Sequence, residues 1–296
     1  MSILSVSMNH EEIATGNAAV CVTCGRTLHG PYCSHCGEKT LNKHDRRVLH
    51  LFEEFFHSLT HADSRFLRSM RYLFTKPGLL TNEYLAGRRK LYSSPLSLFL
   101  IANLLYLFLG VYDTFNSHFE TVITGQPYSK ALIPQVQAKM QKKHWTMKQL
   151  EERYDERSTH EAKLMLIVFV FLLSLPVALL FISRKRYYYD YVVFSMEYVN
   201  FIMYGFMMLI PWLLALVIVV VLWMKGGGTF NPGENTSSLF GVALLLLWVY
   251  LSLAARKVFK QQWWITIIKA ALLTVCTVLA MFLYRFLAFE VTMFLV

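Results

Sequence analysis

The chain has 296 residues, of which 55% are hydrophobic and only 16% are charged, and its formal net charge is +10. The charged fraction is well below the roughly 25% of an average soluble domain, and the apolar residues form long unbroken blocks, which excludes an ordinary soluble globular protein. A basic excess suits nucleic acid or an anionic membrane surface, and the position of many Lys and Arg beside the apolar blocks favours the membrane.

The first segment, residues 1–18, is predicted to be a disordered N-terminus. It lacks the apolar core of a secretory signal peptide, because Glu11 and Glu12 interrupt it.

Two cysteine pairs dominate the next segment, residues 19–40. They read Cys21-Val22-Thr23-Cys24-Gly25 and Cys33-Ser34-His35-Cys36-Gly37. Each CxxC puts two thiolates on one tight turn, and the following glycine permits the backbone angles that the turn requires. The sequence therefore predicts a zinc-ribbon-like module in which Cys21, Cys24, Cys33 and Cys36 hold one Zn²⁺. Four protein ligands close the site, so this zinc would be structural. An iron site with the same ligands and redox-active CxxC pairs are the alternatives.

Residues 41–94 form a basic, amphipathic juxtamembrane block. Apolar residues recur at helical spacing from Val48 to Leu59 and from Phe66 to Phe74, and Pro77-Gly78 is expected to end the helix. Such a helix can lie in the membrane interface with its arginines on lipid phosphates, or pack on the membrane helices. The residues predicted to bind lipid headgroups are Arg68, Arg71, Arg88, Arg89 and Lys90.

A stripe of possible metal ligands lies within this block. His50, Glu54, His57 and His61 share one helix face, and Asp63 follows. Histidine and carboxylate ligands at this spacing suit a second, catalytic metal. A solvated or headgroup-facing polar stripe is the favoured alternative, because one helix rarely supplies every ligand. His57, His61 and Asp63 are therefore weak catalytic candidates.

Five apolar stretches match the ~20 residues that a membrane-spanning helix needs. We predict spans at 95–112, 164–182, 199–223, 238–255 and 264–289, with a partly helical extracytoplasmic link at 113–163. The predicted fold class is thus an all-α polytopic membrane protein with about five transmembrane helices, a small N-terminal zinc-ribbon-like module and an amphipathic juxtamembrane helix.

Flanking charges predict the orientation. The link between spans two and three holds Arg184, Lys185 and Arg186, whereas the link between spans three and four holds only Lys225. The positive-inside rule then places the N-terminus in the cytoplasm and the C-terminus outside the cytoplasmic (inner) membrane. The basic link 113–163 is the exception, and it is near the length at which the rule weakens.

Charged residues near the ends of the spans are a further expectation. Glu197 and Lys269 both lie near the predicted inner face, where a pair between them is geometrically possible. Snorkelling to the interface is the alternative.

The block before the first span resembles the DUF3667 family of uncharacterised bacterial membrane proteins. The matching motifs are the two cysteine hooks, His61-x-Asp63-Ser64-x-Phe66-x-Arg68, Leu73-x-x-x-Pro77-Gly78 and Tyr84-x-x-Gly87-x-Arg89-x-x-Tyr92-x-x-Pro95. The family's third span opens with a histidine-bearing stretch, where this chain has Glu197. The resemblance implies no reaction, because the family has no assigned one.

We expect a non-catalytic, membrane-anchored binding or scaffold protein. Its zinc module would dock a cytoplasmic protein partner, and its basic block would bind membrane lipids. Nucleic acid is disfavoured because Arg26 and Lys39 are the only basic residues in the hook region. The alternatives are a small-molecule or ion transporter, and a lipid-active enzyme using His57, His61, Asp63 and Arg68.

Overall fold

A computed structural model describes residues 20–39, 64–109, 115, 118–182, 186–209 and 236–296. Several predicted features lie outside these residues. They are the N-terminus 1–18, residues 41–63 of the amphipathic block with the polar stripe from His50 to His61 and Asp63, positions 110–112 of the first predicted span and positions 210–223 of the third.

The described part of the chain is mostly helical and contains no strand longer than an isolated β-bridge. Its α-helices are α1 (Ser64–Thr75), α2 (Leu79–Leu85), α3 (Pro95–Leu109), α4 (Phe119–Thr124), α5 (Ser129–Lys143), α6 (Met147–Leu164), α7 (Leu166–Leu180), α8 (Tyr188–Phe201), α9 (Thr236–Phe259) and α10 (Trp263–Leu295). A π-helix, Ile202–Leu209, continues α8. The prediction of a helical protein is confirmed.

Two of these helices are long and apolar enough to cross a membrane, namely Phe240–Phe259 within α9 and Trp263–Leu295. The apolar helices Pro95–Tyr106 and Leu166–Leu180 are shorter. By length and composition, then, two of the five predicted spans meet this test in the described residues. With 33 residues, α10 is about 50 Å long, well beyond the ~30 Å of a bilayer's hydrocarbon.

The centre of the described helices is α8, in which every residue from Tyr189 to Asn200 is buried. It packs against α7 and α3 and against the short helix α2. A helix that is covered on all sides belongs to the interior of a bundle. The helix begins at Tyr188, well before the Val199 predicted for the third span, and this brings Glu197 into the core.

A second apolar cluster covers the C-terminal end of α10. Side chains from α4, α5 and α6, among them Phe119, Leu132 and Leu150, pack with Phe289 and Met293. Lys139 Nζ also donates a hydrogen bond of 2.8 Å to the Met293 carbonyl. The link predicted at 113–163 therefore contains three helices that pack on the end of α10.

Candidate metal centre and the segment it contacts

The two cysteine hooks have the same backbone structure. The Gly25 N–H donates to the Cys21 carbonyl, and the Gly37 N–H donates to the Cys33 carbonyl, at 2.9 and 2.7 Å. Both glycines have a left-handed φ, +74° and +69°, which side chains with a Cβ rarely adopt. Each hook is thus a tight turn that its own sequence specifies.

These turns bring the four predicted ligands together. Their sulfur atoms all lie within 4.8 Å of one another, with Cys21 Sγ 3.5 Å from Cys36 Sγ and Cys24 Sγ 3.6 Å from Cys33 Sγ. All four cysteines are free of disulfides. A tetrahedron with zinc–sulfur bonds of 2.3 Å separates its sulfurs by about 3.8 Å, so the cluster has the size and chemistry to hold such a metal ion.

Two thiols of the cluster, those of Cys33 and Cys36, have pKa values shifted in opposite directions. The backbone N–H groups of Cys36 and His35 lower the pKa of Cys33 to about 6, although burial opposes them. The backbone N–H of Glu38 lowers the pKa of Cys36, but burial and the neighbouring thiols outweigh it and raise that pKa to about 12. Metal binding replaces thiol protons, so a divalent cation would complete the set of thiolates.

Glu38 fixes the module on the chain that follows α2. Its carboxylate accepts hydrogen bonds from the Thr23 hydroxyl at 2.8 Å, the Arg89 N–H at 3.3 Å and the Lys90 N–H at 3.2 Å. The Lys90 ammonium in turn donates to the Cys36 carbonyl. Only 4% of Glu38 is exposed, so this carboxylate is part of a buried contact between the module and the helices.

The predicted headgroup residues fall into two groups. Arg88 Nη2 donates to Glu83 at 2.6 Å, the Arg89 guanidinium lies 4.3 Å from the centre of the Tyr84 ring, and Lys90 contacts the module. These three side chains contact the protein itself. Arg68 and Arg71 are instead exposed on α1.

Glu197 forms a second carboxylate contact, at the other end of α2. It accepts hydrogen bonds from the Gly78 N–H at 2.8 Å, the Thr81 N–H at 2.7 Å and the Thr81 hydroxyl. The first turn of a helix has unpaired N–H groups, and α2 has no side-chain cap of its own. Glu197 supplies that cap from a distant part of the chain.

This contact corrects one expectation from the sequence. Glu197 does not pair with Lys269, whose ammonium donates to Gln261 Oε1 at 3.0 Å. The backbone donors of α2 satisfy the carboxylate instead. The signal that sequence reasoning missed was Pro77-Gly78 followed by a helix that lacks a capping residue.

Two further side chains of the α8 region hold the start of α3. Asn200 Nδ2 donates to the Pro95 carbonyl at 3.0 Å, and the Tyr204 hydroxyl donates to the Leu98 carbonyl at 2.8 Å. The segment from α1 to α3 is therefore bonded to the cysteine module on one side and to α8 on the other.

Residues 63–107 match the family described as Protein of unknown function (DUF3667). The resemblance predicted from the motifs is confirmed for this segment. No curated protein and no solved structure matches the chain. The matched residues include all of α1 and α2, so they contain the four backbone N–H groups that donate to Glu38 and Glu197.

Proposed function

We propose that this is a non-catalytic, multi-pass protein of the bacterial cytoplasmic membrane, whose cytoplasmic cysteine module binds structural Zn²⁺ and serves as a platform for a protein partner. The observation that carries the proposal is the closed four-thiol cluster, held by Glu38 against a helical body in which two helices are long and apolar enough to cross a membrane. A site with four protein ligands leaves no position for a reacting water, which favours a structural role for the metal.

The surface of α10 supports the membrane part of the proposal. A stripe of exposed apolar side chains runs along it through Trp264, Ile268, Leu272, Val275, Leu279 and Leu283. At 1.5 Å per residue the stripe is about 28 Å long, close to the ~30 Å of hydrocarbon in a bilayer. An apolar face of this length suits contact with lipid.

The exposed face of α1 supports binding of lipid headgroups. Arg68 and Arg71 lie one turn apart on this face, beside Leu67, which is 72% exposed. Arginines on lipid phosphates with an adjacent apolar side chain in the acyl boundary are typical of interfacial helices. In this proposal Arg68 and Arg71 bind headgroups, while Arg88, Arg89 and Lys90 act mainly within the protein.

The outer surface of the cysteine module supports a protein partner. Val20, Val22 and Tyr32 are all more than half exposed, although the module is small. Exposed apolar side chains on both turns of the module offer contacts to another protein. The metal would make the module rigid, because so short a segment has too little apolar core to be stable without it.

One preparation tests the metal and the lipid together. The full-length protein is purified without chelator, its metal content is measured by elemental mass spectrometry, and its retained anionic lipids are counted by native mass spectrometry. We expect about one zinc per chain, lost in the Cys33→Ser/Cys36→Ser variant, which should still insert into the membrane. We expect fewer retained phosphatidylglycerol molecules in Arg68→Gln/Arg71→Gln than in the exposed control Lys130→Gln. A metal-free wild type contradicts the metal centre, and equal lipid retention contradicts the headgroup role.

A further inference from the structure

Among the differences between the two hooks, the residue after the glycine decides how the module docks: it is Arg26 in the first hook and Glu38 in the second. Their backbones are equivalent: Cys21 N–H donates to the Arg26 carbonyl and Cys33 N–H donates to the Glu38 carbonyl. Arg26 and Glu38 thus occupy the same place in the two turns. Arg26 is exposed, whereas Glu38 is buried against the chain after α2.

The position of Glu38 depends on both hooks. Thr23, which lies between the first two cysteines, donates its hydroxyl proton to Glu38 Oε2. Glu38 itself lies two residues after Cys36, beyond Gly37. Since the metal is what would bring the two hooks together, the same metal would bring Thr23 to Glu38 and orient the carboxylate.

Both carboxylate oxygens of Glu38 also accept hydrogen bonds from the backbone between α2 and α3. Glu38 Oε1 accepts from the Arg89 N–H, and Oε2 accepts from the Lys90 N–H. Four thiolates carry more negative charge than one divalent cation cancels, so the occupied centre is an anion. The Lys90 ammonium, which contacts the Cys36 carbonyl, has the opposite charge.

We infer that Glu38 makes the cysteine module a metal-dependent clamp on the Arg89–Lys90 backbone, so that loss of the metal releases this part of the chain. The inference rests on the proposed metal centre and adds a consequence of its occupancy. Removal of the metal leaves Glu38 without its fixed orientation. The released backbone belongs to the segment matched by the family, between α2 and α3.

Hydrogen–deuterium exchange with residue-level fragmentation measures this directly on the full-length protein in detergent. The Arg89 and Lys90 amides donate to Glu38, whereas the neighbouring Gly87 and Arg88 amides donate to the Tyr84 and Glu83 carbonyls. We expect EDTA under reducing conditions to speed exchange at Arg89 and Lys90 about tenfold or more. Exchange at Gly87 and Arg88 should stay the same and provides an internal reference.

A substitution separates the clamp from the metal centre. Glu38→Gln keeps the shape of the side chain but has one acceptor oxygen in place of two. We expect it to retain the metal and to exchange faster at Arg89 and Lys90, while the exposed control Glu152→Gln behaves as wild type. If Glu38→Gln loses the metal, the EDTA comparison on the wild type decides alone.

The outcomes distinguish failure of the proposed metal centre from failure of the clamp. A wild type that binds no metal overturns the proposed centre and the clamp with it. A wild type that binds metal, but exchanges equally at Arg89 and Lys90 before and after EDTA, leaves the centre intact and overturns the clamp. Faster exchange at Gly87 and Arg88 as well would indicate general loosening of α2, and would also overturn it.

Discussion

Replacing Glu197 with alanine should strongly destabilise the helical body. The variant leaves two buried backbone donors, the N–H groups of Gly78 and Thr81, without their carboxylate acceptor. A buried donor left unpaired costs about 1–3 kcal/mol. We therefore expect Glu197→Ala to lower the free energy of unfolding by about 2–6 kcal/mol. Glu197→Gln keeps one acceptor oxygen, so its loss should be about half as large.

Reversible unfolding in mixed micelles, driven by SDS and followed by tryptophan fluorescence, measures this difference. Glu152→Ala is the matched control, because Glu152 is exposed on α6 and surface changes usually stay within about 0.5 kcal/mol. A Glu197→Ala variant as stable as this control would refute the capping argument. Equal losses for Glu197→Ala and Glu197→Gln would refute the expectation that one remaining acceptor oxygen preserves about half of the stabilisation.

Two predictions concern glycines with left-handed φ. Gly78→Ala should lower the free energy of unfolding by about 2–4 kcal/mol and lower the melting temperature with it. The reason is that φ is +73° at this residue and a Cβ would lie 2.6 Å from a carbonyl oxygen of α9. The control Gly241→Ala lies on a helix with open space around it and should cause no loss. Gly25→Ala and Gly37→Ala should weaken zinc binding to a similar degree in a chelator competition, because both turns need the same φ. At saturating zinc the two variants should exchange alike at Arg89 and Lys90. The nearest atom to a Cβ at Gly37 is Lys90 Nζ, at 2.7 Å, and this flexible end of a side chain can move aside. Faster exchange in Gly37→Ala alone would contradict this expectation.

The cysteine cluster was predictable because its geometry is local. Each hook closes through a hydrogen bond between residues four apart, such as Gly25 and Cys21, and the glycine supplies the φ that the turn needs. The apolar character of α9 and α10 is also local, since a window of consecutive residues reveals it. Cysteine spacing and hydropathy therefore predicted the cluster, the helical class and these two spans.

The contacts of Glu197 were not predictable in the same way. Sequence reasoning offered Lys269 as a partner because it searches for opposite charges. The actual donors are two backbone N–H groups and the Thr81 hydroxyl, from a segment more than a hundred positions earlier, together with the Tyr250 hydroxyl of α9 at 3.5 Å. Residue type does not show which backbone N–H groups at a helix start are unpaired, so only the fold shows that a carboxylate can reach them.

The basic residues before α3 illustrate a related limit. In the sequence, Arg88, Arg89 and Lys90 form a positive cluster beside a predicted membrane span, and this pattern predicts contact with lipid. The structure gives each of them a partner within the protein: Glu83, Tyr84 and the Cys36 carbonyl. Arg68 and Arg71 have the same composition signal but lie exposed on α1. Contacts within the protein, rather than charge, distinguish Arg88, Arg89 and Lys90 from Arg68 and Arg71.

The short helix α2 explains why both carboxylates matter. A helix of seven residues is too short to be stable alone, because nucleation costs more than so few hydrogen bonds return. Glu197 holds its first turn, and Glu38 holds the backbone just beyond its last turn, where Gly87 adopts a φ of +90°. In the proposed clamp, only the contact made by Glu38 depends on the metal. Loss of the metal should therefore free the exit of α2 while its start stays bound to α8, and the change would be confined to the residues that lead into α3.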